Sequence, residues 1–287
     1  MKLILSRKGF DSIYGGVPCP ILHDGRLCYL PIPDYNRRSP PQFQNIARTG
    51  YDVGQLVADL SRGKLSARTS IHLDPDLRKE DYPRKRGWRP CFGQCSVAQS
   101  HLDRMGVGPG DLFLFFGWFK AAEQHAGKWR YVKNAPDQHM LFGWLEIDKM
   151  LVGTNLVNTA PDWAGYHAHV RYSKLYHDNN TLFVGTKSLQ LFPRLKLPGG
   201  GLFPKHETVL QLTDGSQGRS TWRLPQCFAP RSSVKPLSYH ADPHRWKRSG
   251  KDCLLQTVGR GQEFVLDLDD YPGVVQWLHK VFQCIAP

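Results

Sequence analysis

A chain of 287 residues, 40% hydrophobic and 22% charged, has an ordinary globular composition and enough length to bury a large core. Its 38 Lys and Arg exceed its 25 Asp and Glu, and the formal charge of +13 disfavours cationic partners and points to a polyanion, above all nucleic acid. No run of about 18 apolar residues is present, MKLILSRKGF is too short for the apolar part of a signal peptide, and the scattered cysteines suit reduced thiols, so the expectation is a cytoplasmic protein with no membrane partner.

Lys2 to Leu5 predicts a buried strand. The polar stretch SRKGFDSIYGG follows it directly. Lys8 and Asp11 are candidates for acid–base work there. Ser6, Arg7, Gly15 and Gly16 are candidates for holding a phosphate or base edge. The plainer alternative is a solvated strand end with a tight turn. HDGRLCYLPIP predicts a hairpin about Asp24-Gly25, with arms 20–22 and 27–32. Residues 34–45 read as a loop. YDVGQLVADLSRG carries apolar residues at helical spacing and stops at Gly63. In IHLDPDLRKED an extended chain would set His72, Asp74, Asp76 and Arg78 on one face. That set suits proton transfer or a metal, and Asp-Pro-Asp also suits a turn.

RKEDYPRKRGWRP and HRWKRSGK are basic clusters that each carry a tryptophan. Arg78, Arg84, Lys85 and Arg86 are candidate phosphate contacts, and Trp88 is a candidate stacking platform. Residues 94–106 predict a helix bearing Gln94, His101 and Asp103. VGPGDLFLFFGWFK and HMLFGWLEID predict two strands, whose Gly-Trp pairs would set Trp118 and Trp144 at one end of a sheet. At least one of the two is expected in the core. In YHAHVRY, His167 and His169 would alternate on a strand and share a face, with no third metal ligand nearby in sequence. Cys91 and Cys95 do not match a zinc spacing, and Pro243 breaks the His240–His244 pair. No structural zinc is expected. Cys19, Cys28, Cys91 and Cys95 remain possible nucleophiles. Strand-like pieces at 181–186, 206–213 and 261–268 precede an amphipathic C-terminal helix, PGVVQWLHKVFQCI. No P-loop and no G-x-G-x-x-G is present, so no nucleotide cofactor is expected, and no metal. The whole predicts one compact α+β unit, residues 1–287, around a curved mixed sheet or a barrel with flanking helices.

The pieces SRKGFDSIYGG, PILHDGRLCYLPIPD, IHLDPDLR, FGQCSVAQSHL, GVGPGDLFLFFGWF, HMLFGWLEID, HAHVRY, NTLFVG and GQEFVLD, in that order, resemble the bacterial and phage nucleotide modification associated domain family of the third type. The resemblance spans nearly the whole chain. It implies a place among gene systems that hypermodify DNA bases, with DNA and other proteins of such a gene cluster as partners. That family often carries Ser at the position of Cys19, which argues against Cys19 as a nucleophile. A shorter stretch, about residues 105–190, resembles PUA-like barrels of the ASCH and EVE types. A pocket for a modified or flipped base is the implication.

Three readings of function follow. The first is an enzyme that acts on a base in DNA by hydrolysis or hydration of an exocyclic group, as in turning a 7-deazaguanine nitrile into an amide. A base in duplex must be flipped out to be reached. The second is a non-catalytic reader of a modified base, which needs the aromatic pocket but not Lys8, Asp11, His72 and Asp74 together. The third is a sugar or amino-acid transferase, for which the sequence carries no donor-site mark.

Overall fold

The computed structural model describes residues 1–36, 39–215, 218–259 and 261–286. Arg37 and Arg38, within the expected loop 34–45, lie outside the described residues. Strands run in chain order as β1 (Lys2–Arg7), β2 (Cys19–Ile21), β3 (Cys91–Gln94), β4 (Leu112–His125), β5 (Lys128–Tyr131), β6 (Gln138–Val152), β7 (Thr181–Gly185), β8 (Gly200–Leu202), β9 (Thr221–Pro225), β10 (Trp246–Ser249), β11 (Asp252–Gln256) and β12 (Glu263–Asp267). The α-helices are α1 (Val53–Leu60), α2 (Ser96–Arg104), α3 (Leu156–Thr159), α4 (Ala168–Arg171) and α5 (Pro272–Gln283).

The apolar run of β1 places Leu3, Ile4 and Leu5 in the core, with β4 parallel on one side and β12 antiparallel on the other. The main sheet runs β12-β1-β4-β6-β7-β3, with β2 and β5 on β4 and β8 on β6. β4 and β6 are its spine. Two register shifts, one against β4 that skips Phe142 and one against β7 that skips Asp148, let β6 bend and serve several partners. Phe113, Phe115 and Phe183 pack on the Phe92 ring, and Phe142 stacks on Phe115. The fold is mixed α+β with helices flanking the sheet. Its terminal strands β12 and β3 do not pair, so the barrel alternative is corrected: the sheet stays open among the described residues. A second sheet, β10-β11-β9, carries Lys247 and Arg248 outward.

Several local expectations change. YHAHVRY is helical rather than extended: the His167 side chain accepts from the His169 amide and starts α4. Gln94 closes β3, and α2 begins only at Ser96. The stretch 206–213 makes one turn of 3-10 helix, Thr208–Leu210, with isolated bridges at Gln211 and Thr213. The hairpin about Asp24-Gly25 keeps a bridge from Ile21 to Leu27, and the chain beyond forms no regular strand. Trp118 and Trp144 do not share a level: Trp118 faces His139 in the β4–β6 register, whereas Trp144 faces Leu114. Among the described residues no helix is long and apolar enough to cross a membrane.

Candidate functional site

Asp74 is the hub. The backbone amide of Gly93, in β3, donates to its Oδ1 at 2.8 Å, and His167 Nε2 stands 3.6 Å from that same oxygen. The other oxygen, Oδ2, faces His72 Nε2 at 3.8 Å and His169 Nε2 at 3.6 Å. Three separate segments therefore converge: the extended chain at 72–74, the end of β3, and the start of α4. Local sequence explains the last. His167 caps α4, so the helix carries His169 inward, where its ring stacks on Tyr176 at 4.4 Å and meets Asn180 Oδ1 through Nδ1 at 2.6 Å. Asn180 donates to the carbonyls of His169 and Gly153, so its oxygen is fixed toward the ring. The ring's Nδ1 is then the protonated nitrogen, and Nε2 keeps its lone pair toward Asp74.

Burial sets the charge state. Desolvation lowers the pKa of His72, against the opposing pull of Asp74, and lowers those of His167 and His169 to about 3, which leaves neutral imidazoles near neutral pH. Burial also raises the pKa of the Asp74 carboxyl, an effect opposed by His72 and His169. His72, Asp74 and His169 can each offer one ligand atom, and these atoms lie within 4.8 Å of one another.

Beside this cluster lies a second polar group. Lys8 Nζ pairs with Glu263 Oε1 at 2.7 Å and sits 4.8 Å over the Phe92 ring. Gln94 Nε2 donates to that same oxygen at 2.6 Å. The charge of Lys8 weighs slightly on both His72 and Asp74, lowering the pKa of each. Glu263 and Gln94 also line a recess of about 370 Å³ with Cys95, His101 and Tyr239. Ser6 is the β1 partner of Glu263, and both Ser6 Oγ and Glu263 Oε2 are buried without a hydrogen-bond partner.

The remaining sequence candidates sit elsewhere or hold structure. Asp11 Oδ1 accepts from the amides of Ile13 and Tyr14, closing its own loop. Gly15 packs on the Phe10 ring where a side chain would collide, while Gly16 is exposed. Arg7 donates to the carbonyls of Gly259 and Gly261. Asp76 turns away from the cluster to receive Arg84, Trp88 and Tyr166. Arg84 is thus a buried partner rather than a phosphate contact, and it covers the Trp88 ring at 4.6 Å. Arg78 pairs with Glu80, and Lys85 and Arg86 are exposed. His101 bonds Ser238 at 3.0 Å. Trp118 donates to Asp137 and lies under Arg219. Trp144 is core: its indole donates to the Pro198 carbonyl and packs on Phe282. The thiols of Cys19, Cys28, Cys91 and Cys95 are pushed up by burial, to about 12 for Cys19, which makes them poor nucleophiles.

Sequence reasoning passed over Gly93, Asn180 and Glu263. Only Glu263 carried a visible signal, a carboxylate opening a strand whose middle, Phe264 to Leu266, is apolar.

A family model described as nucleotide modification associated domain 3 matches residues 2–267. The chain belongs to that family. Membership implies a role in DNA nucleotide modification. Comparison with curated proteins and with solved structures finds no match. The matched span of this nucleotide modification associated domain runs from β1 through β12, so it takes in the Asp74 cluster and the Lys8–Glu263 pair alike.

Proposed function

We propose that this protein is an enzyme that modifies a base in DNA by adding water to an exocyclic group, in its most concrete form the hydration of a 7-deazaguanine nitrile to an amide. One observation carries the reading: the buried imidazoles of His72, His167 and His169 surround the Asp74 carboxyl at 3.6 to 3.8 Å. The imidazole–carboxylate set takes a proton from a water as its oxygen bonds to the nitrile carbon. Lys8 delivers a proton to the nitrile nitrogen, and the imidic acid rearranges to the amide. One water is consumed and no other reactant is needed. The neutral state of the imidazoles supports this, because a base must be unprotonated at the working pH. The +13 charge supports a DNA substrate.

The test is nucleoside mass spectrometry of nitrile-bearing DNA after incubation with the protein. The expected product is heavier by one water. Replacing Lys8 by Met is expected to cut turnover by roughly 100-fold or more with DNA affinity nearly intact. Unaltered nucleosides together with tight, selective binding would favour the reader instead.

A further inference from the structure

We propose that His72, Asp74 and His169 bind a divalent first-row transition metal ion. This goes beyond the base-modification reading, since metal binding is measured without DNA and without turnover.

The spacing argues first. His72 Nε2 and His169 Nε2 stand 3.8 and 3.6 Å from Asp74 Oδ2. Those separations are too long for hydrogen bonds. Ligand atoms around a tetrahedral ion, with bonds of about 2.0–2.2 Å, stand about 3.3–3.6 Å apart. The 3.6 Å edge falls at the upper end of that range and the 3.8 Å edge just above it, so the cluster is spaced more like an open coordination shell than a hydrogen-bonded triad.

Polar satisfaction argues independently. Nearly all buried polar atoms in a protein have a partner. His72 Nε2 is buried and makes no hydrogen bond, and so is His167 Nε2. Around them the other groups are fully used. Asp74 Oδ1 is taken by the Gly93 amide. His169 Nδ1 is taken by Asn180. His167 Nδ1 accepts the His169 amide at 3.3 Å, which leaves its Nε2 as the protonated nitrogen, directed at Asp74 Oδ1. His167 is therefore a positioning residue, and the ligand set is Nε2 of His72, Oδ2 of Asp74 and Nε2 of His169. The Asn180–His169 contact is the outer partner that metal-bound imidazoles use to fix ring and tautomer.

The donor chemistry selects the ion. Two neutral imidazoles and one carboxylate suit zinc, iron, cobalt or manganese, and poorly suit the all-oxygen preferences of calcium and magnesium. Three protein ligands leave coordination positions for water or substrate, the pattern of catalytic rather than closed structural sites. Such an ion would lower the pKa of a bound water, so with the ion in place the water would be activated by the metal and not by the lone pairs of His72 and His169.

The experiment titrates chelator-treated full-length protein with Co²⁺, reading visible absorption, and with Zn²⁺ against a chromophoric chelator. The expected result is one ion per chain. His72→Ala and Asp74→Asn are expected to weaken binding by at least about 100-fold, while His244→Ala, at an exposed position in the 3-10 turn Pro243–Arg245, leaves it unchanged. Circular dichroism melts confirm that each variant is folded. Asp74→Asn preserves shape, so it remains informative if a larger truncation unfolds the chain. Folded wild-type protein that takes up neither ion stoichiometrically overturns the proposal, as does full affinity in both variants. Metal binding without any change in DNA nucleosides would sink the base-modification reading alone. Turnover by folded protein that takes up neither ion would sink the metal assignment alone.

Discussion

Gly93→Ala is the sharpest perturbation, because it adds one methyl and removes no functional group. A methyl carbon built on Gly93 lies 2.9 Å from His169 Nε2 and closer still to Cδ2 and Cγ of that ring. Ordinary contact begins near 3.4 Å, so one of the two must move. The ring cannot retreat freely: Asn180 holds Nδ1 at 2.6 Å and Tyr176 is stacked on it at 4.4 Å. The backbone cannot retreat either, since Gly93 pairs with Leu182 in the β3–β7 ladder and donates to Asp74. Overpacking of this kind costs about 1–3 kcal/mol, and loss of the His169–Asn180 hydrogen bond adds about 1 kcal/mol. The expected total is about 2–4 kcal/mol by denaturant unfolding, with Co²⁺ affinity reduced alongside it. The same change in a His169→Ala background should cost little, because the colliding ring is gone. A Gly93→Ala protein as stable as wild type would refute the reasoning, and so would a penalty that persists unchanged without the ring.

Three further outcomes are expected. DNA binding should weaken steeply with salt, and removing Lys247 and Arg248 should flatten that slope by about one unit for each phosphate no longer neutralised. Arg223→Ala, which removes a side chain already paired with Asp214 and Asp252, should change it less, and filter binding across a salt series compares them. Glu263→Ala leaves Lys8 and Gln94 without their shared acceptor, and a broken buried pair costs about 3–5 kcal/mol, to be read from denaturant melts. His139 is held near a pKa of about 3 by burial, and the Trp222 indole donates to its Nδ1 at 2.9 Å. Its folded value lies below the unfolded one, so its contribution is complete above pH 6.5 and is lost as pH falls toward 3. His139→Gln should therefore lose about 1.4 kcal/mol less than wild type between about pH 7.5 and pH 5.5. Equal acid sensitivity in the two proteins would count against this account.

The long elements were legible because each carries its own apolar pattern: β1, β4, β6 and β12 as apolar runs, α1 and α5 as helical stripes. The small sheet of β9, β10 and β11 escaped notice because strands such as TWRLP and WKRS mix charge with aromatic residues. α4 escaped because four residues are too few for a period, and its cap is a histidine rather than a residue typical of helix starts. For the site, two local pairs stood out, His72 with Asp74 and His167 with His169. Their meeting depends on β3 pairing with β7, and no local signal announces that. Arg84 was misread as surface because Asp76, its buried partner, belongs to a segment whose alternation fails after Asp74. Trp144 was misread for the opposite reason: its Gly-Trp dipeptide looks like that of Trp118, and only the register separates them.

The pairing of β1 with β12 sets a timetable for synthesis. Lys8 and Glu263 are 255 positions apart. At about 5–20 residues per second on the ribosome, roughly 13–50 s separate the making of the lysine from that of its carboxylate. Through that interval β1 has an unfilled edge, and its apolar residues invite other strands. The Ser-Arg-Lys that closes β1 supplies cations at the vulnerable end, as gatekeeper residues do. The same polar stretch that helps frame the site would thus guard the unfinished chain, and a polypeptide interrupted before β12 would leave Lys8 without the carboxylate that holds it.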